Sequence, residues 1–260
     1  MNDLLSPDTP YPIVGEPVVR PPARDLELLR PLGSATVGAT LHKMGVRRTF
    51  IEGPLPQCPG SHVTGPAITL QLMPRREDFV PAIPEQHHVK KSALWQVLDT
   101  IEPGDILVIQ AGGDRQTGIL GDILSGYFHD KGGAAIVVDG CLRDWPDIQK
   151  LSLPVWSNGF TPNHAWQGDQ MPWAYHVPIA CGGVLVLPGD IIVADDDGAV
   201  LVPAKLASEV ATIAADQEGW EEFGREQLAA GKLLERYYPL ADDARDEYEA
   251  WKRQRRNRDE

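Results

Sequence analysis

The stretch GDILSGYFHDKGGAAIVVDGCLRD (residues 121–144) decides the fold. Gly121 and Asp122 open a short amphipathic segment that reads as a helix to about Asp130 and turns at Gly132-Gly133. Ala134–Val138 is then a buried strand, and the unit ends on the adjacent charges Arg143-Asp144. An apolar helix–strand unit of this kind sets a permanent cation and an oxygen ligand at the mouth of a sheet, where α/β folds bind small ligands. The plainer alternative is a helix–strand hairpin whose last turn carries a surface ion pair of little energetic worth. The flanking sequence favours the ligand site.

Outward from this unit the pattern stays mixed α/β. Ser34 is placed to cap a helix running to about Met44 and ended by Gly45. His62–Leu72 reads as a strand with a Gly-Pro-Ala interruption, and Ile106–Ile109 as a buried strand after Gly104-Asp105. Pro154-Val155-Trp156 is a short strand, and Val184–Leu187 another after Gly182-Gly183. Ile191–Ala194 and Ala199–Val202 flank Asp195-Asp196-Asp197-Gly198, a hairpin signal with glycine supplying positive φ. Three adjacent carboxylates also suggest calcium, but the full EF-hand pattern is missing and the turn reading is preferred.

Three zones follow: a proline-rich N-terminal arm at 1–33, a core at 34–206, and C-terminal helices with a charged tail at 207–260. Ala204–Gly231 is rich in helix formers and stops at glycine. The last helix turns basic at Lys252-Arg253-Gln254-Arg255-Arg256 and reads as a solvated helix or a subunit contact.

Composition excludes several classes. The chain has 260 residues, 42% hydrophobic and 23% charged, and is long enough for a sizeable core. No apolar run approaches the roughly 18 residues of a membrane span. No secretory signal is visible in MNDLLSPDTPYP. Cys58, Cys141 and Cys181 lack a CxxC pairing and read as free thiols, so the expectation is a cytoplasmic protein without structural zinc. A net charge of −13 argues against nucleic acid or an anionic membrane as partner.

The segments SATVGATLHKMG, CPGSHVTGPAITL, EPGDILVIQAGG, LGDILSGYFHDKGGAAIVVDGCLRD, LPVWSNGFTP and CGGVLVLPGDIIVADDDGAVLVP occur in this order. The succession resembles the family of RraA regulators and 4-hydroxy-4-methyl-2-oxoglutarate aldolases, over roughly residues 34–231. The resemblance implies a swivelling β/β/α domain assembled as a homotrimer or hexamer with sites between subunits. It implies a Mg²⁺- or Mn²⁺-dependent class II lyase acting on a 2-oxo acid, releasing pyruvate and often decarboxylating oxaloacetate. Asp144 would be the metal ligand, Arg143 would bind substrate oxygen, and Asp122 would hold a metal-bound or catalytic water. The backbone of Gly121, Asp122, Ile123 and Leu124 would bind the substrate carboxylate. An acid from a neighbouring subunit would complete the site, with Glu218, Glu221 and Glu222 as candidates. The regulator branch implies the alternative, a non-catalytic protein that binds a ribonuclease or another protein.

The chemistry of the residues agrees with the lyase. Breaking the C3–C4 bond leaves a pyruvate enolate, whose charge a hard cation and a guanidinium both stabilise. Helix-start amides suit a carboxylate. A Schiff-base route is disfavoured, because Lys131 and Lys150 sit in polar, turn-like contexts. His129 reads as a helix-end surface residue, and consecutive His87-His88 do not make a metal pair. Arg115, Thr161, Asn163 and His164 are candidates for lining the pocket. The AGGDRQTG loop lacks the ending of a phosphate-binding loop. Two departures from the family stand out: Ala39 where many relatives have Asp, and a stretch between Phe160 and Val184 carrying Trp166, Trp173 and Tyr175. Aromatics there would narrow the pocket or favour a longer, sugar-derived oxo acid.

Overall fold

Strand β3 (Val63–Pro74) is shared among three pairing partners and organises the chain. The computed structural model describes residues 12–76, 89–165 and 167–259. The first part of β3, Val63–Pro66, pairs antiparallel with β10 (Ile191–Asp195). From Ala67 onward β3 pairs in parallel with β4 (Ile106–Gln110), and from Leu70 it also pairs antiparallel with β7 (Gln170–Tyr175). The Gly-Pro-Ala interruption is therefore a change of partner within a continuous strand. Proline lacks an amide to donate, and a side chain at Gly65 would overlap the Gly104 carbonyl.

The main sheet runs β1-β7-β3-β4-β5-β6-β2, with β1 (Ile13–Val14), β5 (Ala135–Leu142), β6 (Val155–Phe160) and β2 (Leu55–Pro56). β3, β4, β5 and β6 are mutually parallel. All eight residues of β5 are buried, as expected for a strand covered on both faces. The period of two then sorts its neighbours. Leu107, Ile109, Ile136 and Val138 face a layer containing α3 (Ala93–Asp99) and Phe128 of α4 (Asp122–Asp130). Ile106, Val108, Ala135 and Val137 face two hairpins, β8 (Ile179–Cys181) with β9 (Val184–Val186) and β10 with β11 (Gly198–Val202). The far face of β10 and β11 packs on α1 (Ala23–Leu29), α2 (Ser34–Lys43) and α6 (Ala207–Ala229).

The acidic run makes the expected turn, with Asp195 opposite Gly198 in the β10–β11 register. Its carboxylates hold backbone in place. Asp195 accepts from the amide and hydroxyl of Ser34 at 2.7 and 2.6 Å, and Asp196 from the amide of Gly60 at 2.9 Å. Ser34 is thus the first residue of α2, and Gly33 occupies the cap. Its hydroxyl is committed to Asp195, so it does not cap its own helix.

Residues 12–33 lie on the body of the same chain. Arg20 forks onto Asp105, with Nε to Oδ1 at 2.9 Å and the terminal nitrogen to Oδ2 at 2.7 Å. Leu29 and Leu32 are buried beside Val37 and Leu41. At the other end α7 (Leu234–Tyr237) and α8 (Arg245–Asp259) fold back on α6 around Phe223, Tyr237 and Tyr248. Glycines in α6 permit this approach: a Cβ at Gly224 would stand 2.7 Å from the Tyr237 carbonyl oxygen. Among the described residues no helix is long and apolar enough to cross a membrane.

Candidate active site

The segment Thr117–Gly121 returns from the β4 loop to the end of β5 and pairs with it. The amide of Ile119 donates to the Cys141 carbonyl at 3.1 Å, and the amide of Arg143 to the Leu120 carbonyl at 3.0 Å. These bonds deliver the start of α4 against Arg143-Asp144. Two glycines make the approach sterically open. A Cβ at Gly118 would meet Arg143 at 2.9 Å, and one at Gly121 would overlap Asp144 Oδ2 and stand 3.0 Å from Arg143 Nε.

Asp144 adopts a left-handed backbone (φ 56°, ψ 33°) as it caps α5 (Trp145–Ile148). Asp tolerates this region better than most residues, and strain of this kind gathers at ligand sites. Arg143 Nε lies 3.3 Å from Asp144 Oδ2, and both side chains are about one-third exposed. The pair is oriented yet open to a ligand. α4 begins at Gly121 with no side-chain cap. The amides of its first turn therefore lack an intrahelical acceptor and face outward with the positive end of the helix dipole.

Gly121, Asp122, Ile123, Leu124 and Arg143 all line one cavity of about 280 Å³. Its far wall is Leu72, Leu94, Trp95 and Pro172. The structure thus brings together the sequence-predicted residues of 121–124 with Arg143, whereas Asp144 is not in the lining and lies against Gly121 and Arg143. The three candidate glutamates are elsewhere. Glu218 accepts from the Gly33 amide at 3.0 Å, Glu221 from the Gln217 side-chain amide at 2.9 Å, and Glu222 pairs with Arg255. None of them lines this chain's own cavity.

Other candidates separate cleanly. His164 lines the cavity. Thr161 and Asn163 do not, and the Asn163 side chain instead donates to the Gln116 carbonyl at 2.9 Å. Arg115 is exposed and outside the lining. His129 is exposed beside Asp130 at 3.7 Å, as its helix-end position implies. Lys131 donates to the Asp99 carbonyl and Lys150 to Asp147, both away from the cavity. Trp173 and Tyr175 lie on β7 outside the lining, so they do not narrow this cavity. His87, His88 and Trp166 lie outside the described residues. Ala39 is an exposed residue of α2.

Two features escaped the sequence reading. Helix α3, which supplies Leu94 and Trp95, follows Ser92 with an ordinary helical spacing of Leu94, Val97 and Leu98. That spacing was the available signal. The second is Asp139, buried in β5, whose carboxylate accepts from the amides of Ala111, Gly112 and Gly182. Burial pushes its carboxyl above the usual range, while those amides partly oppose the shift. It ties the loop after β4 to the β8–β9 turn.

Asp144 with the gap at Gly121 suits a hard divalent cation. Such an ion prefers oxygen, keeps several waters and needs one or two carboxylates. Among the described residues no group of three or more metal-ligating side chains gathers.

Comparison with known proteins gives a consistent result. A family model described as RraA-like, Aldolase/RraA, matches residues 34–201. A protein of Halalkalibacterium halodurans, provisionally named 4-hydroxy-4-methyl-2-oxoglutarate aldolase, is 32% identical over 56% of this chain and 69% of its own length. The 4-hydroxy-4-methyl-2-oxoglutarate aldolase of Thermus thermophilus is 32% identical over 42% of this chain and 65% of its own, just under two thirds. The crystal structure of Streptomyces coelicolor RraAS2 superposes with a TM-score of 0.74 at 50% identity, covering 80% of this chain and 99% of that one. That protein is described as an unusual member of the RNase ES inhibitor RraA protein family.

Proposed function

We propose that this chain, which belongs to the RraA-like Aldolase/RraA family, is a divalent-metal-dependent lyase that cleaves a 4-hydroxy-2-oxo acid to pyruvate and a second carbonyl compound. The observation that carries the reading is the convergence of the uncapped start of α4, Arg143 and Asp144 around Gly121.

The substrate carboxylate binds the first-turn amides of Asp122, Ile123 and Leu124, where the helix dipole favours an anion. Arg143 donates to the 2-oxo oxygen and holds it beside the reacting carbon. Asp122, half-buried at the cavity wall, accepts the proton of the 4-hydroxyl directly or through one water. The C3–C4 bond then breaks with its electron pair passing to C3, C4 becomes a carbonyl, and the pyruvate enolate takes a proton at C3. A Mg²⁺ or Mn²⁺ ion held by Asp144 would supply Lewis-acid stabilisation of the charge developing on the 2-oxo oxygen. Loss of CO₂ from oxaloacetate leaves the same enolate, so decarboxylation belongs to the same chemistry. Glu218, Glu221 or Glu222 of a neighbouring subunit is the proposed additional acid in a homotrimer or hexamer.

Enolate formation tests this without choosing a substrate. The protein with Mg²⁺ in D₂O should exchange the methyl protons of pyruvate, followed by NMR, and EDTA should abolish the exchange. Absence of exchange with either Mg²⁺ or Mn²⁺ would refute the reading.

The similarity to RraAS2 supports a second reading, a regulator that binds a ribonuclease. A stoichiometric complex with a purified RNase E-type enzyme, together with no exchange, would favour it.

A further inference from the structure

The cavity that begins at Arg143 continues well beyond the reach of a pyruvyl group. Arg143 follows β5, whereas Leu72 and Pro172 form a cross-strand pair between β3 and β7. The sheet order β5-β4-β3-β7 puts two strand spacings between β5 and Leu72 and three between β5 and Pro172, about 10 and 14 Å. Among the described residues the intervening wall is mainly apolar, with Ile119, Leu124, Leu94 and the half-buried Trp95, while Ser92, Thr117, His164 and Gln170 contribute its polar groups. Among the described lining residues Arg143 is the one permanent cation.

The two ends suit different parts of a substrate. The α4 amides and Arg143 serve the carboxylate and 2-oxo group, as proposed above. A second carboxylate extending from C4 would enter this mainly apolar part and lose its hydration with no second permanent cation among the described lining residues to replace it. An alkyl or aryl group would instead release water from Leu72, Leu94, Trp95 and Pro172.

Resting on the lyase reading, we propose that the substrate is a 4-hydroxy-2-oxo acid whose C4 substituent is apolar, an aryl or branched alkyl group, and that Trp95 and Leu94 select it. Cleavage then yields pyruvate and an apolar aldehyde. The 4-hydroxyl proton leaves, the C3–C4 electron pair passes to C3, and C3 is protonated, with no further reactant required.

The test compares pyruvate release by the wild-type protein with Mg²⁺ from 4-hydroxy-2-oxo-4-phenylbutanoate and from 4-hydroxy-4-methyl-2-oxoglutarate. The expected kcat/KM favours the phenyl compound by about tenfold or more, and Trp95→Ala reduces that ratio by a similar factor. Equal or greater kcat/KM for the dicarboxylate, in a protein that exchanges pyruvate protons, would overturn the apolar-substrate proposal while leaving the lyase reading intact. A preference unchanged in Trp95→Ala and in Leu94→Ala would overturn the assignment of these residues. Loss of both release and exchange would overturn the lyase reading and this proposal together.

Discussion

Gly121 and Asp144 are in such close apposition that any side chain at 121 would overlap the carboxylate Oδ2. Two separate elements, the start of a helix and the end of a strand, meet at this point because Gly121 lacks a Cβ. The glycine is required here by proximity, since its own backbone (φ −107°) is open to other residues.

Gly121→Ala should therefore displace Asp144 and Arg143 together. A shift on the order of 1 Å at such a site costs about 10²-fold in rate. The check is kcat/KM for pyruvate release alongside far-UV thermal melting. A variant with wild-type activity would show that the close approach is not needed for turnover.

Arg143→Lys keeps the charge and loses the planar fork. The expected fall in kcat/KM is on the order of 10²-fold, because the paired donors to substrate oxygen cannot be reproduced by an ammonium group. Steady-state kinetics with the metal saturating measures it, and a change of less than about threefold would remove Arg143 from substrate binding.

The N-terminal segment is anchored by Arg20, which forks onto the fully buried Asp105. Burial of a charge is tolerable only with such a partner. Arg20→Ala should lower stability by about 3 kcal/mol, read as a shift in the urea midpoint at constant slope. A shift within experimental error would mean that water replaces the guanidinium without cost.

Asp195 gives a pH-dependent prediction. Burial pushes its carboxyl up, but the hydroxyl and amide of Ser34 and the amide of Asp197 outweigh that and hold it below the usual value. A depressed folded-state value contributes stability that is fully present above the unfolded value, about 3.9, and is lost as pH falls through the folded one. Ser34→Ala removes one of these donors. Its destabilisation, about 1 kcal/mol at pH 7, should shrink toward zero as the pH drops below the ordinary carboxylate range. A difference independent of pH from 7 to 3 would contradict this origin.

Much of the fold was legible because strands and helices announce themselves by period and by their ends. Asp122–Asp130 stands where its glycine boundaries put it, and the β10–β11 hairpin turns at the acidic run. Ser34 shows where local reading stops: a good cap residue was drawn away by Asp195, 161 positions later. The strand β7 was also hidden, since its residues Gln170–Tyr175 alternate poorly and its register against β3 contains a bulge at Gln71/Leu72. Arg143 and Asp144 were conspicuous as an adjacent pair at a strand end. Trp95 was not, because its place in the cavity depends on how α3 packs beside β3 and β7, which no local pattern encodes.

In the proposed lyase Asp144 supplies the oxygen ligand for the divalent cation. The decisive measurement is the initial rate of pyruvate release by wild type and Asp144→Asn, each with Mg²⁺ and with EDTA, on a substrate the wild type cleaves. The variant with Mg²⁺ should release pyruvate no faster than the wild type with EDTA. Metal-dependent turnover by Asp144→Asn at the wild-type rate would contradict the account.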